Sequence, residues 1–264
     1  MQPAFKSIRT RVLGGDLLTG TFINLGSSIT TEIAGRSGLD WLLIDMEHGA
    51  TDDQSLVHQI QATSATPAVP IVRVANYDPG RFKRILDLGA SGVMVPWVST
   101  VAEAKLVVSA MRYPPEGIRG VAKLNRASGF GRDFESYFAH ANRSLLTIVQ
   151  IEQMEALEVV DQIAAVDGVD VLFLGPMDMT VSMGIPQQYS HPDYIAARRK
   201  VVTAARNAGK AAGILLLDPA QLKDTIDLGY SFVALGSDGG IVSNGYRQLV
   251  REFDRYRGPE PLSP

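Results

Sequence analysis

The chain contains no cysteine. That one absence removes disulfide scaffolds, zinc–thiolate and iron–sulfur sites, and thiol nucleophiles together. Any metal must sit on oxygen or imidazole, and the chain has only four histidines. No apolar run approaches the ~20 residues of a membrane span, and residues 1–11 lack the apolar segment of a secretory leader. A soluble, cytoplasmic protein with no membrane partner is expected. Neither sign of charge dominates, with 25 Lys and Arg against 28 Asp and Glu. No basic field is available to hold a phosphate backbone, so no nucleic-acid partner is expected. Charge blocks, low-complexity tracts and Ser/Gly-rich linkers are missing as well, which points to a single domain over 1–264 with a short Pro-rich tail at 258–264.

What is present is an ordinary globular composition, 45% hydrophobic and 20% charged over 264 residues, long enough to bury most of its unfolded surface. A phrase recurs four times in which glycine ends a helix and, two residues later, a short apolar run begins. The copies are Gly38-Leu-Asp-Trp-Leu-Leu-Ile-Asp45, Gly89-Ala-Ser-Gly-Val-Met-Val-Pro96, Gly168-Val-Asp-Val-Leu-Phe-Leu-Gly175 and Gly229-Tyr-Ser-Phe-Val-Ala-Leu-Gly236. Each glycine suits a left-handed helix end, and each run suits a strand covered on both faces. Two helical segments open alike, at Asp78-Pro79 and Asp218-Pro219, with an aspartate cap before a first-turn proline. Further apolar runs at 21–25, 69–74, 145–151 and 212–217 bring the strands to eight. Eight alternating βα units in ~250 residues predict an α/β TIM barrel. A doubly wound sheet has fewer strands and often a Gly-x-Gly-x-x-Gly turn after the first, absent here. One long insertion, at about 112–142, reads as a βα loop that belongs to a site or an interface.

Barrel sites lie where strands end at their C-termini. Here those ends carry Asp45, Glu47 and His48 after strand two, Arg73 after strand three, Gln150 and Glu152 after strand five, and Gly175-Pro176-Met177-Asp178 after strand six. Glu152 and Asp178 in a low-dielectric mouth need a cation or a proton between them. Without thiols, that cation is a hard one such as Mg²⁺ or Mn²⁺; pairing with arginine, or helix capping, is the alternative. Arg73 suits a carboxylate or a developing oxyanion, or else a structural ion pair with Asp45 or Glu47. His48 reads as a general base oriented by Asp45, or as a merely hydrogen-bonded imidazole. The seven lysines fall on helices and loops, which disfavours Schiff-base chemistry. The turn at Gly236-Ser-Asp-Gly-Gly240 suits either a phosphate cradle or a plain βα turn.

Seven ordered motifs carry a resemblance: Trp41-Leu-Leu-Ile-Asp-Met-Glu-His48, Pro70-Ile-Val-Arg73, Leu86-Asp-Leu-Gly-Ala-Ser-Gly-Val-Met-Val-Pro96, Tyr113-Pro-Pro-Glu-Gly-Ile-Arg-Gly120, Arg126-Ala-Ser128, Gln150-Ile-Glu152 and Phe173-Leu-Gly-Pro-Met-Asp178. Together they resemble the HpcH/HpaI aldolases, metal-dependent class II enzymes of the phosphoenolpyruvate/pyruvate superfamily. The resemblance implies reversible cleavage of a 4-hydroxy-2-oxo acid to pyruvate and an aldehyde through a metal-stabilised pyruvate enolate, with Mg, Mn or Co. It implies Glu152 and Asp178 as metal ligands, Gln150, Gly175, Pro176 and Met177 around pyruvate, Arg73 at the enolate oxygen and His48 as base. Asp87 matches the residue that raises the basicity of that histidine, so it competes with Asp45 for the role. Met177 is larger than the alanine common in the family and affects the aldehyde side. Oxaloacetate decarboxylase or CoA-ester lyase chemistry on a related barrel, or a phosphosugar barrel using the Gly236 turn, are the alternative functions. The resemblance also implies a homo-oligomer, a trimer of dimers, in which the C-terminal helix is exchanged between subunits. Its apolar stripe is Tyr246, Leu249, Val250 and Phe253; packing on its own barrel would cover that stripe equally well.

Overall fold

The computed structural model describes residues 7–257; the tail at 258–264 lies outside them. Eight parallel strands close into a barrel in chain order: β1 (Leu18–Ile23), β2 (Trp41–Asp45), β3 (Val69–Arg73), β4 (Gly92–Val95), β5 (Leu146–Ile151), β6 (Val171–Leu174), β7 (Ala211–Leu216) and β8 (Phe232–Ser237). The helices are α1 (Ile8–Leu13), α2 (Ser28–Arg36), α3 (Asp53–Ser64), α4 (Pro79–Asp87), α5 (Val101–Met111), α6 (Phe134–Ser144), α7 (Met154–Glu158), α8 (Val160–Ala164), α9 (Pro176–Ser182), α10 (Pro192–Asn207), α11 (Leu222–Leu228) and α12 (Asp238–Asp254).

The near-continuous apolar runs have the predicted cause. Residues on one face of each strand, among them Phe22, Trp41, Ile71, Ile148 and Phe173, fill the barrel, while Ile44, Val72, Val93 and Leu172 meet the helices. Gly20 is required at one close approach, because a Cβ there would stand 2.2 Å from the Trp41 ring. That indole is stacked on Phe232, with centroids 4.1 Å apart. The four repeated glycines, 38, 89, 168 and 229, all have positive φ, between 92° and 116°. The first strand lies earlier than the apolar run at 21–25 suggested, since Leu18 and Gly20 already pair with β8.

Two expectations about the surface change. The insertion at 112–142 follows α5 and contains α6, so it is an αβ connection on the side where strands begin. It is therefore not a βα loop over the mouth. It packs under the barrel instead: α6 contacts α1, and Ile8 and Val12 of α1 plug the interior cluster. The stripe on α12 does not pack on its own barrel either, as Tyr246, Leu249, Val250 and Phe253 are all exposed. No helix among the described residues is long and apolar enough to cross a membrane.

Candidate active site

Strand register makes the first contact. β2 and β3 pair so that Asp45 lies beside Arg73 at their C-terminal ends. The Arg73 guanidinium donates from Nε to Asp45 Oδ1 at 2.9 Å and from Nη2 to Oδ2 at 2.7 Å. Its Nη1 lies 3.0 Å from Glu47 Oε2, and its plane sits 5.2 Å from the centroid of the Phe22 ring. Burial works against the charge, but Asp45, Glu47 and Glu152 outweigh it and raise the Arg73 pKa. Arg73 is thus ion-paired with Asp45 and Glu47 and stands at the mouth.

Glu152 follows β5 and is buried. Its Oε1 accepts the Trp97 amide at 2.6 Å and its Oε2 accepts Gln150 Nε2 at 3.0 Å. Gly175 presses against the same carboxylate, because a Cβ there would lie 2.5 Å from Oε2. Burial pushes the Glu152 carboxyl up to about 7; Asp178 and Glu47 add to the shift, and the Trp97 amide and Arg73 oppose it. Glu47 is raised too, by burial, against the pull of Arg73 and His48. Asp178 lies in the first turn of α9, half-buried. Three carboxylates, Asp45, Glu47 and Glu152, therefore act on one guanidinium, with Asp178 adding its charge beside Glu152, and a buried surplus of negative charge needs protons or a cation. The buried Gln150 Oε1 has no partner among the described residues.

The remaining predicted residues divide. Gly175, Pro176 and Met177 enter α9 beside Asp178, within the mouth. The His48 side chain is 68% exposed, and its Nε2 lies 3.7 Å from Glu47 Oε1. Asp45 does not orient that ring, because both its oxygens are held by Arg73; it accepts only backbone amides from Glu47 and His48. Asp87 lies apart from this cluster. It ends α4 and so stands at the base of the barrel, where it accepts Arg119 Nη2 at 2.7 Å. Within one chain it does not reach His48.

The turn after β8 is occupied by its own carboxylate. Asp238 accepts the amides of Asn24 and Gly239, both at 2.8 Å, and the Thr30 hydroxyl at 2.7 Å. The donors a phosphate would need are taken by a like charge, and the phosphosugar alternative fails there. Sequence reasoning missed Trp97, whose backbone adopts φ +59° and aims an amide at Glu152. The signal was available, since Pro96-Trp97 follows β4, a strand end with no charged side chain.

Residues 18–245 match the family model described as HpcH/HpaI aldolase/citrate lyase. The chain belongs to the HpcH/HpaI aldolase/citrate lyase family. It is 39% identical over 246 residues to the hydroxypyruvate/pyruvate aldolase of Pseudomonas aeruginosa, covering 93% of this chain and 91% of that one. Against the 2-keto-3-deoxy-L-rhamnonate aldolase of Klebsiella pneumoniae the identity is 42%, covering 92% and 91%. The crystal structure of an HpcH/HpaI aldolase/citrate lyase family protein from Burkholderia cenocepacia superposes with a TM-score of 0.89 at 35% identity, covering 94% and 98%.

Proposed function

We propose that this chain is a class II pyruvate aldolase that reversibly cleaves a 4-hydroxy-2-oxo acid into pyruvate and an aldehyde. Membership of the HpcH/HpaI family makes it a carbon–carbon lyase. The observation that carries the site assignment is the surplus of carboxylates around buried Arg73, with Glu152 held up near 7 by burial.

The donor set fits a divalent cation. Glu152 and Asp178 offer hard oxygen ligands, Gln150 Oε1 is buried without a partner among the described residues, and the chain has no cysteine to offer a thiolate. Bound there, Mg²⁺, Mn²⁺ or Co²⁺ would supply positive charge beside the 2-oxo group. Gly175, Pro176 and Met177 line the pyruvate moiety at the start of α9, and Gln150 borders it from β5. His48 takes the proton of the C4 hydroxyl; the C3–C4 bond breaks, its electrons pass to the C2 oxygen, and the aldehyde leaves. Arg73 stands where that oxygen gains charge, so its interaction strengthens in the transition state. Asp45 and Glu47 hold the guanidinium in place. A proton returned to C3 completes pyruvate.

We assign Asp87 to the same imidazole, and its place at the base means that it serves a His48 of a second copy of the chain. The exposed stripe on α12, together with Ile29 and Ile33 on α2, supports a homo-oligomer in which α12 is exchanged between subunits. The test is proton–deuterium exchange at the pyruvate methyl followed by NMR, alongside retro-aldol cleavage. Chelation abolishes both and added Mg²⁺, Mn²⁺ or Co²⁺ restores them; full activity in the chelated enzyme overturns the reading.

A further inference from the structure

Next to Asp178 in the chain, Pro176 and Met177 also border a cavity that extends beyond the pyruvate moiety they line. It has a volume of about 320 Å³ and is walled by Met177, Tyr189, Tyr194, Leu215, Leu217 and Gln221, within the size range of small-molecule sites. All of its walls stand on the mouth side. Met177 enters α9 directly after β6, Leu215 to Leu217 finish β7, and Tyr194 lies in the first turn of α10. It also shares structure with the catalytic mouth. Leu215 packs on the interior cluster that contains Phe22 and Phe173, and Phe22 is the ring beneath Arg73.

The lining is chemically one-sided. The two tyrosine rings meet edge to face at 5.7 Å, and the Tyr189 hydroxyl points at the Met177 sulfur from 3.9 Å, a weak acceptor that leaves the donor open to a ligand. Among the described residues no lysine, arginine or histidine lines the cavity, and the one charged residue there is Asp218. That carboxylate already accepts the Ala220 amide at 2.9 Å. An anionic group placed here loses its hydration and meets a like charge. A polyhydroxylated chain would turn its hydroxyls toward leucine and methionine. An apolar group loses nothing by entering, and Leu217, 70% exposed, would be covered by it.

We propose that this cavity receives the apolar substituent of the aldehyde partner, so that the chain takes neutral aromatic or branched aliphatic aldehydes rather than carboxylated or phosphorylated ones. The proposal rests on the pyruvate-aldolase reading above and adds the substrate class. Its test compares kcat/KM for pyruvate addition to benzaldehyde and isobutyraldehyde with that for succinic semialdehyde and glyceraldehyde 3-phosphate. The apolar pair should lead by about tenfold or more, the discrimination that apolar pockets achieve. Leu217→Arg, at an exposed rim position, should reduce that ratio by about tenfold or invert it. Binding without turnover is read by ¹⁹F NMR with 4-fluorobenzyl alcohol. Its line should broaden with the parent enzyme and sharpen with Leu217→Arg. Equal or better use of the anionic aldehydes, or broadening that survives the substitution, overturns the proposal. A parent enzyme that fails to exchange the pyruvate methyl protons overturns the underlying reading instead.

Discussion

The two ends of the barrel both bury ion pairs, yet they are built on different accounts of charge. At the base, Asp170 takes Arg9 Nε on both oxygens at 2.9 Å and the Thr147 amide at 3.0 Å, while Asp87 pairs with Arg119. Each carboxylate has its own arginine. At the mouth, Asp45, Glu47 and Glu152 share Arg73, and the Glu152 carboxyl is raised in consequence of its burial and its neighbours, Asp178 among them. A matched buried pair is what a scaffold needs, whereas an unmatched cluster costs stability and persists where chemistry uses it. The difference separates structural from chemical polarity without reference to any relative.

The comparison breaks most sharply at the mouth. Glu152→Gln or Asp178→Asn should lower kcat by about a thousandfold or more and abolish Mn²⁺ binding followed by electron paramagnetic resonance. Arg73→Lys should cost a similar order in kcat. Lysine is the better probe than alanine, because Arg73→Ala leaves Asp45 and Glu47 buried without their partner and should cost about 3–5 kcal/mol of stability. Near-parent turnover in Arg73→Lys would sink its assignment to the enolate oxygen.

Asp87 tests whether the two ends are truly separate. Asp87→Asn and His48→Ala should each depress activity, the former by about 10- to 100-fold, the usual effect of losing an orienting partner. Mixing the two variants after partial unfolding should recover a fraction of parental turnover, because a hybrid oligomer contains sites with both residues intact. No recovery in verified mixed oligomers would confine Asp87 to its structural pair with Arg119. At Asp170 only stability should respond: Asp170→Asn lowers the unfolding free energy by about 2–4 kcal/mol and leaves kcat within about twofold, since Asp170 holds only Arg9 and the Thr147 amide.

The smallest effect is a pH slope. In metal-free protein, Glu152 titrates near 7 when folded against an ordinary value of 4.5. The native state therefore holds a proton that the unfolded state has released. Its contribution is fully present below about 4.5 and lost as pH rises through about 7, by up to about 3 kcal/mol. Thermal melts between those values should show this decline, and Glu152→Gln should flatten it. An unchanged slope in that variant would place the titration elsewhere.

Much of this site was legible along the chain because a strand buried on both faces leaves few places for charge. When such a run stops at Asp45, Arg73, Glu152 or Asp178, the polar group marks the barrel mouth. The resemblance drawn from seven motifs agrees with the family to which the chain belongs. Position in sequence carries no such information for Asp87: a helix that returns from the mouth ends at the base, so a residue five before the next strand lies a barrel length from the previous strand's end. The insertion at 112–142 was misplaced for the same reason, its side of the barrel depending on where α5 stops. Trp97 escaped notice because its contribution is a backbone amide in a left-handed turn, which its side-chain chemistry does not announce.

By itself the amino-acid sequence determined the eight-unit alternation, the exclusion of thiolate sites by the lack of cysteine, and which residue types stand at the strand ends. These follow from local periodicity and composition, which act over a few residues. Only the tertiary structure decided that Asp45 belongs to Arg73 and not to His48, that Asp87 faces the opposite end, that the apolar stripe of α12 stays exposed, and that an apolar cavity opens at Met177. Each of these depends on strand register and barrel closure, which join residues tens to hundreds of positions apart.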